Sequence, residues 1–489
     1  MTRDLNARLE GFVNDVLDRL RAEQDIPSAF ALGGWLATLL WKNHSRIYRL
    51  DELETVLLEK LFPLPSEFTE PREAVSAEIH LATAVYRSGG HTPLLCHLIQ
   101  QSDLPVNVVL TRMTDVKLAA QVLNLPADRV CSVGPESNPV SRVHALTRQL
   151  LRGARVIVSI HPNDVLGAVA LRLAKRIRPS LPLGFMNHAD HVFSTGIGIC
   201  DHVFEISAYG WELREARGTT ERSSFVGIPI HPRAARPFAA SPPSRQPTFL
   251  TGGSPHKFRP LPGLSLRPVL AELMRRHPTA RLTVLGPKPI DWCWWSLRTG
   301  FGRRVRVRRR IPREQYQQLL QDCSVYIDSH PIPGGTALPE ALMNGCNIAG
   351  LRGVVWGYSC ADDLLDTDSD AFLASCAQLL EGASQALARQ QEMRARCAEW
   401  HAPASVRRRL DASWSGLRST LPISTDTPSA QNRPLERLWL EANSVIHPGR
   451  KECQLNRADK QWLARRHLAR FGWRQWSILK ILFCARVRS

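Results

Sequence analysis

Residues able to hold an anionic group cluster in the segment CSVYIDSHPIPGGTALPEALMNGCNIAGL, residues 323–351. The pattern predicts a short apolar strand, a loop rich in Pro and Gly, and then a helix. The turn formed by Gly334, Gly335 and Thr336 would present unpaired backbone N–H groups and the positive end of the helix dipole to a ligand. Such a turn suits a phosphate group, and Glu340 lies one turn further along the helix, facing the same cleft.

A second candidate for phosphate binding is the segment FLTGGSPHKF. It places Gly253, Ser254 and Lys257 in a loop directly after an apolar strand, with Arg259 as a weaker candidate for the same role. A lysine at this place would neutralise the charge of a bound phosphate group without a metal ion. The alternative is an ordinary exposed loop lysine.

Candidate groups for proton transfer follow two other predicted strands. GFMNHADHVF brings His188, Asp190 and His191 together at a strand end, and HPND places His161 and Asp164 after another strand. Histidine titrates near neutral pH and accepts a proton from a hydroxyl, and a nearby carboxylate orients the ring and raises its basicity. We therefore expect His191 or His188 to act as a base beside Asp190, with His161 or Asp164 as the alternative.

Metal and cofactor chemistry is disfavoured by spacing. The HADH segment lacks two further zinc ligands at suitable spacing, and no DxD-like pair marks a magnesium–nucleotide site. The eleven cysteines are scattered without CxxC pairs or metal-ligand spacing, which is typical of reduced thiols in a cytosolic protein. No P-loop or GxGxxG fingerprint stands at a strand–helix junction, which disfavours ATP hydrolysis and NAD chemistry. We expect no metal and no other cofactor.

Alternating strands and helices must position these groups. The alternation begins near residue 77 and restarts after a stretch rich in Pro, Ala and Ser, which predicts an α/β protein with two doubly wound parallel sheets and a cleft at the carboxyl ends of their strands. The predicted division is a helical N-terminal extension (1–76), a first Rossmann-like domain (77–230), a linker (231–247), a second Rossmann-like domain (248–420), and a linker with a basic tail (421–489).

The Gly-Gly-Thr turn and the Glu-Ala-Leu-x-x-Gly run after it resemble the donor-binding segment of GT-B glycosyltransferases. The matching residues are Gly334, Gly335, Thr336, Glu340, Ala341, Leu342 and Gly345. The resemblance covers roughly residues 77–400 and implies a turn that holds the diphosphate of a nucleotide sugar, together with a Glu that binds its ribose or its sugar. It also implies that the loop with Gly89, Gly90 and His91 passes close to the donor phosphates.

One position departs from the family pattern. Retaining members of a large GT-B family carry a further Glu eight positions before the one that matches Glu340, and Ile332 stands there. The departure favours an inverting mechanism with a histidine base. The resemblance then implies transfer of a hexosyl or N-acetylhexosaminyl group from a nucleotide-diphosphate sugar, with UDP as the expected nucleotide, to a protein, lipid or polysaccharide acceptor in bacterial glycoconjugate biosynthesis.

The positive charge is concentrated near the C-terminus. Of a formal net charge of +18, residues 431–489 contribute +9, from thirteen Lys and Arg against four Asp and Glu. An evenly basic nucleic-acid-binding protein is therefore not the simplest interpretation. The tail mixes its arginines with Trp, Phe and Leu, which is typical of a helix at an anionic membrane surface, or alternatively of a terminal helix docked on the protein. The Arg-rich run 302–313 indicates an edge strand, with binding of a polyanionic acceptor or a membrane as the alternative.

The remaining expectations concern location and competing classes of function. The N-terminal residues carry no signal pattern and no run of about 20 apolar residues occurs, so we expect a cytoplasmic protein, peripheral on the membrane if the tail binds there. A catalytically silent glycan- or nucleotide-binding protein of the same fold would bind ligand without turnover. A nucleic-acid-binding protein would show binding that weakens steeply with salt.

Overall fold

The architecture is α/β, with two parallel sheets covered by helices. The computed structural model describes residues 2–43, 46–64, 76–86, 90–134, 138–230, 246–261, 263–354, 356–420 and 455–472, with side chains from residue 6 onwards. Among these residues, no helix is long and apolar enough to cross a membrane.

The first sheet contains seven strands that all run parallel. They are β1 (Glu78–Ala82), β2 (Val106–Leu110), β3 (Val130–Ser132), β4 (Arg155–Ser159), β5 (Leu183–Asn187), β6 (His202–Glu205) and β7 (Ser223–Phe225). Their order is β3-β2-β1-β4-β5-β6-β7, so the chain reverses its direction of travel across the sheet between β1 and β4. Six strands match predicted apolar segments, whereas β3 was not predicted because three residues at a sheet edge are too short to show a period.

The second sheet contains five parallel strands. They are β8 (Thr248–Gly252), β9 (Arg281–Leu285), β10 (Val305–Arg308), β11 (Val325–Ile327) and β12 (Asn347–Ala349). Their order is β10-β9-β8-β11-β12, which puts the point of reversal between β8 and β11. The Arg-rich run forms the edge strand β10, in which Val305 and Val307 are buried while Arg306 and Arg308 are exposed.

Helices cover both sheets and add a helical layer at the N-terminus. They are α1 (Thr2–Ala22), α2 (Ile26–Lys42), α3 (Asp51–Glu59), α4 (His91–Gln100), α5 (Val116–Leu123), α6 (Pro139–Leu151), α7 (Val165–Ile177), α8 (Ala208–Glu212), α9 (Arg214–Arg217), α10 (Leu266–Arg276), α11 (Trp295–Phe301), α12 (Arg313–Asp322), α13 (Ala337–Met343), α14 (Ser369–Glu381), α15 (Ser384–His401), α16 (Pro403–Trp414) and α17 (Arg457–Phe471). Helices α1, α2 and α3 share one apolar core with α6 and α7, so the predicted helical N-terminal region is an integral layer of the first domain.

The described part of the basic tail docks on the N-terminal helix. Helix α17 buries Leu463 and Phe471 in the core that it shares with α1. The ring of Phe471 packs edge-on against Phe12, with 5.9 Å between centroids, and Arg19 forms a 3.1 Å ion pair with Asp459. Residues 457–471 therefore form a terminal helix docked on the protein, which is the second of the two structures predicted for the tail. The proposed membrane contact of residues 473–489 lies outside the described residues.

Helix α16 returns to the first sheet and is fixed there by a buried ion pair. Nη1 and Nη2 of Arg407 each donate to one oxygen of Glu78 at 2.8 Å, and Arg155 and His80 donate to the same carboxylate at 2.7 and 2.9 Å. Burial by itself raises the pKa of Glu78, but the hydrogen bonds from His80 and Arg407 outweigh it and lower that pKa. The carboxylate is therefore ionised and fully hydrogen-bonded inside the protein.

Replacing Arg407 with Met should destabilise the protein strongly. Removal of one partner from a buried ion pair leaves an uncompensated charge, which costs about 3–5 kcal/mol and should lower the midpoint of thermal unfolding of a chain of this size by roughly 3–5 °C. The matched control is Arg408→Met, since Arg408 is the neighbouring exposed arginine of the same helix. Equal unfolding midpoints for the two variants would show that the pair does not hold α16.

Candidate active site

The loops at the carboxyl ends of the two sheets meet across a cleft. The hydroxyl of Tyr358, in the second domain, donates to Asp190 Oδ1 in the first at 3.1 Å, and the N–H of Tyr209 donates to the carbonyl of Gly357 at 3.1 Å. A Cβ placed on Gly90 would lie 3.4 Å from Thr336 Oγ1. The groups that follow β1, β4 and β5 therefore face the groups that follow β8 and β11, where doubly wound sheets bind their ligands.

Lys257 lies on the second-domain wall of the cleft, in the loop after β8. Its Nζ donates to the carbonyl of Pro333 at 2.7 Å, and its own carbonyl accepts from the N–H of Ile332 at 3.3 Å. Burial lowers the pKa of this lysine, and the Asp328 carboxylate opposes that shift. The ammonium is thus tied to the loop that follows β11, at the point where the second sheet reverses.

Asp328 fixes the conformation of the loop that follows β11. It is buried at the end of β11, and both of its carboxylate oxygens accept from the N–H of Gly334, at 2.9 and 3.1 Å. Burial raises the pKa of Asp328 to about 6, against the opposing effects of the Gly334 N–H and of Lys257. The prediction that the N–H of Gly334 is unpaired is therefore wrong, because the carboxylate uses this group to fold the loop.

The prediction that this turn binds an anion still applies to Gly335 and Thr336. No hydrogen bond to the N–H groups of Gly335 or Thr336 is present within the described residues. Gly335 has a φ of 66°, in the left-handed region that favours glycine, and it lies beside the ring of Tyr358. Thr336 occupies the cap position of α13 without a side-chain capping bond. The anion-binding capacity of the turn is therefore confined to these two residues.

Glu340 lies in α13, next to the start of α12. Its Oε1 accepts from Arg313 Nη2 and from Gln317 Nε2, both at 3.1 Å. Its side chain is 17% exposed, whereas that of Arg313 is 47% exposed. The carboxylate is thus held in a fixed orientation near the surface of the second domain, where a polar ligand could exchange with Arg313.

His191 stands opposite this wall, in a polar cluster with Asp190 and Tyr358. Its Nδ1 lies 3.1 Å from Asp190 Oδ1 and 3.1 Å from the Tyr358 hydroxyl oxygen. Because the tyrosine donates its proton to the carboxylate, Nδ1 carries a proton that it also donates there, which leaves Nε2 as the basic nitrogen of the ring. The arrangement has the geometry of a carboxylate–histidine pair for general-base catalysis.

Asp190 stays ionised although it is fully buried. Burial raises its pKa, but the hydrogen bonds from His191 and Ser207 and the charge of Arg217 outweigh burial and lower that pKa. Arg217 also donates to the backbone carbonyl of Asp190 at 2.5 Å and to Glu205 at 2.7 Å. These contacts fix the position of the carboxylate that orients His191.

Three further histidines form a cluster beside this pair. The ring centroids of His91 and His188 lie 4.5 Å apart, and that of His161 lies 5.6 Å from His91. Burial, followed by the proximity of His91 and His161, lowers the pKa of His188 well below its usual value, and burial lowers that of His161 to about 4. Both rings are neutral and weakly basic at pH 7, which argues against either of them as the base.

Asp164, Gly89 and His91 are also among the predicted site residues. Asp164 caps α7 by accepting from the N–H of Gly167 at 3.1 Å, and it also accepts from the hydroxyls of Thr83 and Thr111. This carboxylate therefore supports the fold rather than transferring a proton. Gly89 lies outside the described residues, and His91 Nε2 contacts the carbonyl of Ser159 at 2.8 Å.

Sequence reasoning missed Tyr358, Asp328, Arg313 and Gln317. Asp328 carried a usable signal, since an acid directly after an apolar strand and before a Pro/Gly loop lies at the ligand-binding edge of a parallel sheet. Tyr358 carried none, because its function depends on a contact with Asp190 across 168 positions of the chain.

No family model and no curated sequence matches the chain. Solved structures do match in fold. HepE from Anabaena in complex with UDP superposes with a TM-score of 0.53 at 14% identity, covering 70% of this chain and 100% of that one. The lipopolysaccharide outer core galactosyltransferase WaaB gives 0.51 at 15% identity, with coverages of 70% and 100%. The pneumococcal O-GlcNAc transferase GtfA in complex with UDP and GlcNAc gives 0.50 at 9% identity, with coverages of 70% and 99%.

Proposed function

The chain has the GT-B fold of nucleotide-sugar glycosyltransferases, and on that basis we propose that it transfers a sugar from a UDP-sugar to a protein, lipid or polysaccharide acceptor, with inversion at the anomeric carbon. The main support for the proposal is that two groups of residues face each other across one cleft. Asp190 and His191 lie on one side, and Lys257 lies with the Gly335–Thr336 turn on the other. HepE has been solved with UDP-glucose and GtfA with UDP and GlcNAc, which supports UDP as the nucleotide.

Donor binding would use the wall formed by the second domain. The N–H groups of Gly335 and Thr336, which have no hydrogen-bond partner within the described residues, would donate to the diphosphate, and Lys257 would add a positive charge beside them. The lysine ammonium has three N–H groups and donates one to the Pro333 carbonyl, so the other two can donate to phosphate oxygens. Glu340 would accept from the ribose hydroxyls by exchanging its contact with Arg313.

Transfer would proceed by in-line displacement. Nε2 of His191 takes the proton of the acceptor hydroxyl as its oxygen forms a bond to the anomeric carbon. The bond from that carbon to the diphosphate breaks, and the electron pair leaves with UDP. Lys257 and the two N–H groups stabilise the charge that develops on the leaving oxygen. Ionised Asp190 stabilises the imidazolium and keeps its ring in place.

A donor panel tests this proposal. Full-length protein is incubated with UDP-, GDP- and dTDP-linked sugars and candidate acceptors, and nucleotide release and product mass are measured by mass spectrometry. We expect release of UDP that depends on an acceptor. Binding of UDP-sugars without any release would favour the catalytically silent binding protein, and binding of nucleic acid in place of nucleotide sugars would contradict both functions.

A further inference from the structure

A compact group of metal-ligating side chains lies outside the cleft. The sulfurs of Cys360 and Cys397 are 2.9 Å apart, and one ring nitrogen of His401 lies within 4.8 Å of both. All three side chains are buried, with 0–1% of each residue exposed. Cys397 and His401 are four positions apart in the last turn of α15, so they share one face of that helix, and Cys360 begins the turn that packs against it.

The histidine is oriented as metal-binding histidines are. Its Nδ1 contacts both backbone groups of Ile228, the carbonyl at 3.0 Å and the N–H at 3.2 Å. Of the two tautomers, the one that donates Nδ1–H to the carbonyl places the lone pair of the ring on Nε2, and a bound metal ion would select it. Within the described residues, Nε2 of this fully buried ring has no hydrogen-bond partner. A backbone carbonyl that fixes the tautomer is the usual outer-shell partner of a metal-bound imidazole.

We propose that Cys360, Cys397 and His401 bind a zinc(II) ion. Two thiolates and a neutral imidazole are soft and borderline ligands that zinc and copper(I) prefer. Zinc balances the charge of two thiolates, whereas copper(I) would leave a net negative charge among the apolar side chains of Met393 and Trp400. A site buried in this core therefore favours zinc. The fourth position of the tetrahedron would be taken by water.

Binding requires only a small movement of the side chains. In a tetrahedral zinc site the Zn–S distance of about 2.3 Å separates two sulfurs by roughly 3.8 Å, so the two thiols must move apart by about 0.9 Å. The ion replaces the thiol protons, which leave to solvent.

The zinc site would connect the segment that carries Tyr358, helix α15 and the end of the first domain. Cys360 lies two residues after Tyr358, and Ile228 and Ile230, whose backbones bond to His401, end the first domain just before residues 231–247. Zinc would thus hold the Tyr358 segment to α15 and to the exit of the first domain. This role does not depend on the proposed function, because its direct readout is metal content.

Metal analysis of the full-length protein tests the site. After reconstitution with zinc chloride and removal of loosely bound ion, we expect one zinc per chain by mass spectrometry. Cobalt(II) in its place should produce thiolate-to-cobalt charge-transfer absorption. Cys397→Ser and His401→Gln should each weaken zinc binding by more than about 100-fold, since loss of an outer-shell partner alone costs about 10- to 100-fold. Cys376→Ser, at a buried cysteine elsewhere in the second domain, should bind zinc as the unaltered protein does.

Two results would overturn the proposal, and both use the unaltered chain, so they hold even if a variant fails to fold. The first is a reconstituted protein that retains no zinc and gives no cobalt–thiolate absorption. The second is a disulfide between Cys360 and Cys397 in protein purified under reducing conditions, which would be detected as a mass lower by two hydrogens.

Discussion

Replacing His191 with Ala is expected to lower kcat for sugar transfer by about 100- to 10,000-fold, the usual contribution of a general base. The reason is geometric: Asp190 and Tyr358 hold Nδ1 of this ring at 3.1 Å, so Nε2 is the nitrogen that can accept the proton of an acceptor hydroxyl. UDP-sugar binding should change little, because His191 lies on the opposite wall. Steady-state kinetics of UDP release with a saturating acceptor provides the measurement.

Two companion variants sharpen this expectation. Asp190→Asn should also lose most of its activity, because the amide no longer selects the productive tautomer of the ring. His188→Ala should retain activity within about tenfold of the unaltered protein, since burial keeps that imidazole neutral and weakly basic. Full turnover in His191→Ala together with a loss in His188→Ala would reverse the assignment of the base.

Replacing Lys257 with Met is expected to lower kcat by roughly 100- to 1,000-fold and to weaken UDP binding, since removal of one group that stabilises transition-state charge has effects of this size. The lysine is the partly buried cation on the loop after β8, and its bond to Pro333 fixes it beside Gly335 and Thr336. Methionine is unbranched and only one heavy atom shorter than lysine, and it removes the charge. Initial rates over a range of UDP-sugar concentrations separate the effect on kcat from that on KM.

Arg259→Met is the matched control for this variant, because Arg259 is an exposed cation in the same loop. It should change kcat by less than about tenfold, since an exposed charge is screened by solvent. An equal loss in both variants would indicate a diffuse electrostatic effect of the loop, and no loss in Lys257→Met would remove the lysine from the site.

Much of the architecture could be predicted from the sequence because its signals are local. Apolar runs bounded by Gly and Pro mark eleven of the twelve strands in the described chain, and the alternation with helices predicts parallel sheets. The strand-end position of His191 follows from the same local patterns. The expected GT-B fold is confirmed by the solved structures that superpose on the chain.

The details of the site could not be predicted because they depend on contacts between distant segments. The orientation of His191 by Tyr358 and the pairing of Glu340 with Gln317 form only when the segments pack together. The same holds for Cys360 and Cys397, which are 37 positions apart in the chain yet in contact in the fold. Spacing along the sequence therefore showed no metal-ligand pattern.

The proposed donor site is tested most directly by calorimetric titration of UDP into the full-length protein and into the Lys257→Met and His191→Ala variants. A cleft that binds UDP between Lys257 and the Gly335–Thr336 turn predicts one saturable site in the unaltered protein and in His191→Ala, and strongly weakened binding in Lys257→Met. The absence of UDP binding to the unaltered protein, or equal binding by Lys257→Met, would contradict this placement of the donor.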